Sequence, residues 1–78
     1  MKHPERHDDM TAEEIIIESL SREQELLDYY TAAASNVGPD AFPLFRQLQA
    51  DQAVRIERLR LMLTELAVLR ELTVGIAD

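Results

Sequence analysis

Asn36-Val37-Gly38-Pro39-Asp40 is the stretch on which the fold turns. Gly38 suits the left-handed residue that closes a helix, Pro39 cannot extend that helix, and Asp40 suits the cap of the next one. Pro43 then falls in the first turn of the second helix, where its missing N–H has no partner to lose. Upstream, the nearest comparable signal is Thr11-Ala12-Glu13-Glu14, a capping box in which a hydroxyl and a carboxylate three residues on satisfy free helix N–H groups. About 25 residues separate the two signals, a helix of roughly 37 Å at 1.5 Å per residue. Downstream, the second helix is expected to run to about Leu72, with Gly75 marking its fraying end. Neither strand alternation nor a repeat interrupts this pattern. The expected fold is all-α, a long antiparallel helical hairpin over residues 11–72, with a flexible arm at 1–10 and a tail at 73–78.

Apolar residues recur along both helices at alternating steps of three and four. The first helix places Ile16, Leu20, Glu23, Leu27, Tyr30 and Ala34 in one row. The second places Phe45, Leu48, Gln52, Arg55, Leu59, Met62, Leu66 and Leu69 in another. Both rows have the spacing of buried seams. Two helices cannot bury both seams completely, and a chain of 78 residues builds only a marginal core alone. A two-fold dimer closing a four-helix bundle is the economical solution. From residue 59 to 72 the second helix is apolar on more than one side, which points to further contacts, including contacts between dimers.

Each seam carries polar interruptions, and in an antiparallel hairpin they fall at one level. Glu23 lies 16 residues before Pro39 and Arg55 lies 16 after it, with Gln52 less than one turn nearer. The three side chains should therefore meet roughly 24 Å from the turn. Polar residues inside an apolar seam commonly set register and pairing. That reading makes Glu23, Gln52 and Arg55 a structural network, with the Tyr30 ring in the core beside it.

Composition narrows the remaining chemistry. The chain has no Cys, which excludes disulfides, thiol nucleophiles, Cys-based zinc sites and iron–sulfur clusters. No apolar run approaches the ~20 residues of a membrane span, and no signal-peptide core follows Met1-Lys2-His3. The chain thus reads as cytoplasmic, with no membrane partner. A net charge of −7 argues against nucleic acid, which needs a basic face. Residues 1–40 hold 10 acidic and 3 basic side chains, whereas residues 41–78 hold 5 of each, so the whole excess sits in the first half.

From Ala12 to Leu66 the chain resembles the ferritin-like superfamily, specifically rubrerythrin-type domains and the short encapsulated ferritins that dimerise into a bundle. Glu23-Gln24-Glu25-Leu26-Leu27-Asp28-Tyr29-Tyr30 is similar to that family's iron-binding Glu followed seven residues later by Tyr. Ala50-Asp51-Gln52-Ala53-Val54-Arg55-Ile56-Glu57-Arg58-Leu59 is similar to its Glu-x-x-His helix. The resemblance implies a homodimer with a di-iron centre and ferroxidase or oxidoreductase activity. The motif departs from the family at its centre. Gln52 stands where the family has Glu, and Arg55 where it has His. Gln offers a neutral carbonyl oxygen and Arg is always protonated, with no lone pair to give. Four Glu and two neutral His give a family dimer site a charge of −4, whereas two Glu23 and two Arg55 sum to zero. The expectation is a non-catalytic relative with no metal cofactor, acting as an assembly or interaction module in an iron-storage or oxidative-stress setting.

Other readings stay open at this stage. A surviving iron-dependent oxidoreductase would use Glu23 as its remaining ligand, helped by Glu25, Asp51 and the arm residues His3 and His7. Leu72-Thr73-Val74-Gly75-Ile76 resembles the C-terminal peptide that docks ferritin-like cargo inside encapsulin shells, which would add a shell protein as partner. The same five residues also read as a helix fraying toward a Gly cap.

Overall fold

The structure, a computed structural model, describes residues 10–77, with side chains described as far as residue 73. Two helices account for almost all of it: α1, Ala12–Ala34, and α2, Phe42–Ala77. They pack against one another as an antiparallel hairpin, and no strand occurs among the described residues.

The start of α1 is fixed by its sequence. Thr11 is extended, its hydroxyl accepts from the Glu14 amide at 3.1 Å, and the Glu14 carboxylate accepts from the Thr11 amide at 2.9 Å. Glu13 and Glu14 also place negative charge against the positive end of the helix dipole. The other end is closed differently from the expectation. No described glycine has a positive φ, so Gly38 is not a left-handed cap. Instead α1 tightens: the Ser35 and Asn36 amides bond back to the Ala32 and Ala33 carbonyls, and the Asn36 side-chain amide donates to Ala32 O at 2.9 Å. The chain then reverses through a turn centred on Pro39-Asp40, closed by the Ala41 amide donating to the Gly38 carbonyl at 3.1 Å. Proline at the second position of such a turn has its φ already set. The Phe42 amide takes the same Gly38 carbonyl, so main chain and not the Asp40 carboxylate supplies the observed bonds into α2.

Two findings about α2 differ from the sequence reading. Its backbone is helical through Ala77, beyond the expected end near Leu72. A single glycine weakens a helix by about 1 kcal/mol and does not forbid it. More importantly, α2 is rotated. The residues turned toward α1 are Phe45, Gln49, Gln52, Ile56, Leu59, Leu63 and Leu66, with Ile56 only 4% exposed. Leu48, Met62 and Leu69, expected in the seam, lie on the flank and are exposed. At 100° per residue the shift amounts to about 50°. Phe45, Gln52, Leu59 and Leu66 belong to both rows, which is why half of the expected seam is found in the observed one.

The result is a two-helix slab with little interior. Ala34 and Ile56 are the only apolar residues fully buried among those described, and Gln52 is the only buried polar one. Tyr30 of α1 and Leu48, Gln52 and Arg55 of α2 line one groove, so the flank carrying Leu48 and Met62 shares a face of the slab with Tyr30. Leu26 stands one turn before Tyr30 on α1 and is exposed as well.

Candidate functional site

Three polar layers cross the helix pair, and the middle one contains the residues singled out above. Near the turn, the Gln49 amide donates to the Thr31 hydroxyl at 3.0 Å, while that hydroxyl donates to Leu27 O one turn back at 2.9 Å. At the open end, Arg70 meets the Glu13 carboxylate at 2.7 Å. Between them, Gln52 extends from α2 and its Nε2 donates to both the main-chain carbonyl and the carboxylate of Glu23. Arg55, one turn further along, donates from Nε to the same carboxylate oxygen, Oε1, at 3.1 Å.

Burial separates the roles of these side chains. Gln52 is 5% exposed, so its amide needs partners from the protein, and Glu23 provides two acceptors. The Glu23 side chain is 21% exposed and Arg55 is 66% exposed. Arg55 therefore is not a buried cation in the single hairpin. The rotation of α2 puts its stem on the flank, from which the guanidinium reaches over to Glu23. A pair this open to water contributes ~1 kcal/mol or less. Tyr30 is half-buried and lines the groove beside Gln52 and Arg55. Its ring meets that of Tyr29 with centroids 6.1 Å apart at 53°.

The di-iron centre implied by the resemblance can be tested against this donor set. A divalent cation needs several anionic or neutral lone pairs converging on one point. Here Oε1 of Glu23 faces two N–H donors, one of them cationic, where a metal would demand acceptors. No group of three or more His, Cys, Asp or Glu side chains gathers among the described residues. Glu25 is exposed, and Asp51 accepts from Gln47 at 2.9 Å on its own helix. His3 and His7 lie outside the described residues. The residues at this level do not fit a di-iron group.

Glu13–Arg70 and Thr31–Gln49 were not picked out from the sequence. Gln49 and Arg70 belong to the α2 row that the rotation turns inward, and each has a complementary side chain on α1 at the matching level. In the tail, Leu72 and Thr73 belong to α2, with the Thr73 hydroxyl donating to Leu69 O at 2.9 Å. The side chains of Val74 and Ile76 lie outside the described residues. No described helix is long and apolar enough to cross a membrane. Comparisons with protein-family models, curated proteins and solved structures return no match for this chain.

Proposed function

We propose that this chain is a non-catalytic assembly module of ferritin-like design. Two hairpins close a four-helix bundle, and the Glu23–Gln52–Arg55 layer takes the place of a metal centre. One observation carries the reading: amide and guanidinium donors of α2 both fall on the Glu23 carboxylate, the residue that the resemblance equates with a metal ligand. A guanidinium satisfies a carboxylate without any ion, through charge-assisted hydrogen bonds. The bundle itself is supported by the exposure of Leu48, Met62 and Leu69 along one flank of α2, with Tyr30 beside Leu48, apolar surface that a free hairpin leaves in water. In such a dimer Arg55 becomes enclosed by the partner and the pair gains strength.

Metal analysis after purification with iron supplied tests this directly. The native chain is expected to carry none, and about two irons per dimer, the loading of a family site, would overturn the reading. The converse variant, Gln52→Glu with Arg55→His, restores the family's donor types and is expected to gain iron. If it dimerises without gaining iron, Glu23 does not occupy the family's ligand position.

A further inference from the structure

The side of α2 that faces away from α1 is apolar as well. Val54, Leu61 and Val68 follow one another at steps of seven and are 62%, 57% and 52% exposed. Each lies about half a turn from the inward residues Ile56, Leu59 and Leu63. Val54, Arg58, Leu61, Met62 and Glu65 line one open groove to which α1 contributes nothing. This surface borders the Leu48 flank, and Val54 and Arg58 also line the Tyr30 groove, but the row of Val54, Leu61 and Val68 lies roughly a quarter turn further around α2 than Leu48, Met62 and Leu69.

We infer that this surface binds the same surface of a second copy, antiparallel, about a two-fold axis that crosses α2 between Leu61 and Met62. The pattern of charge selects both occupant and direction. Arg58 and Glu65 have no ionic partner among the described residues, although Arg22, Arg55, Arg60 and Arg70 each do. Their midpoint along the helix falls between residues 61 and 62. An antiparallel copy turned about that point sets Arg58 against the partner's Glu65, and Glu65 against the partner's Arg58. Leu61 then packs beside the partner's Leu61 at the axis, and Val54 lies within one residue of the level of the partner's Val68. Over residues 51–72 this register opposes no charge to a like charge. A parallel copy in register would set Arg58 against the partner's Arg58 and Glu65 against the partner's Glu65. A two-fold axis at Arg55 would oppose two arginines. The distribution of charge along the chain favours the same contact. Residues 41–78 are neutral while residues 1–40 carry the entire −7, so two copies meet with least repulsion through α2.

The chain has no cysteine, so single cysteines report the contact cleanly. L61C places two thiols beside the axis and is expected to give a disulfide-linked dimer under mild oxidation. V54C places them roughly 22 Å apart along the helices, at 1.5 Å per residue, and is expected to stay monomeric on a denaturing gel. If V54C crosslinks as readily as L61C, the arrangement is not antiparallel; if L61C does not crosslink, the contact is absent. R58E is expected to weaken self-association about tenfold, and the double variant R58E/E65R to restore it. A double variant as weak as R58E would overturn the charge pairing. L48D separates this contact from the bundle: it removes the other face and is expected to leave L61C crosslinking intact. Loss of crosslinking in the L48D background would make the two surfaces one interface and overturn the proposal. An unchanged mass for L48D alone would instead sink the bundle.

Discussion

Gln52 and Arg55 touch the same oxygen of Glu23, yet their environments give them different weight. The Gln52 amide is buried, and without it the seam at that level loses two hydrogen bonds to Glu23. Gln52→Leu is expected to lower stability by about 1–2 kcal/mol in urea titrations. Gln52→Glu should do worse at neutral pH and low salt, because two carboxylates then face each other with only an exposed guanidinium between them. Arg55→Ala should cost less than either in the dilute hairpin, ~0.5 kcal/mol, and that loss should fade in 1 M salt. A larger, salt-resistant loss for Arg55→Ala at high protein concentration would report enclosure of the guanidinium by a second copy. The ranking therefore reads out two states of one side chain, depending on assembly.

At the scale of the helices, what the sequence disclosed and what it withheld have physical reasons. The capping box at Thr11 was legible because its two hydrogen bonds need only local spacing, and the structure forms both. Thr11→Ala is accordingly expected to remove about 1 kcal/mol and Thr11→Asp to retain most of it. The meeting of Glu23 with Gln52 and Arg55 was legible for a similar reason, since an antiparallel hairpin pairs residues equidistant from its turn. The rotation of α2 was not. Leu48, Arg55, Met62 and Leu69 have the same three-and-four spacing as Gln49, Ile56, Leu63 and Arg70, and periodicity alone cannot choose between neighbouring rows. The deciding signal lay on α1, where Thr31 and Glu13 can receive Gln49 and Arg70. Truncation checks the choice: Ile56→Ala should lose 2–4 kcal/mol, roughly the usual range for a buried branched residue, while Leu48→Ala should lose well under 1 kcal/mol in dilute solution. Comparable losses at the two positions would restore the unrotated seam.

For the whole molecule, the shortage of interior decides how stability must behave. A slab with two fully buried apolar residues, among those described, lacks the core that a lone domain of this size needs. Its missing burial lies on the exposed sides of α2, and only association can supply it. Association then adds to the stability of the hairpin, so apparent stability rises with concentration, approaching ~1.4 kcal/mol per mole of dimer for each tenfold increase. Thermal denaturation from micromolar to millimolar protein should show a midpoint that climbs steadily. L48D should flatten part of that climb, L61D another part, and the double variant all of it, because the two positions serve different faces. A midpoint independent of concentration would mean that the hairpin is stable alone and that neither face is an interface. If instead either single variant flattens the climb completely, one surface carries the assembly and the second apolar side of α2 has some other use.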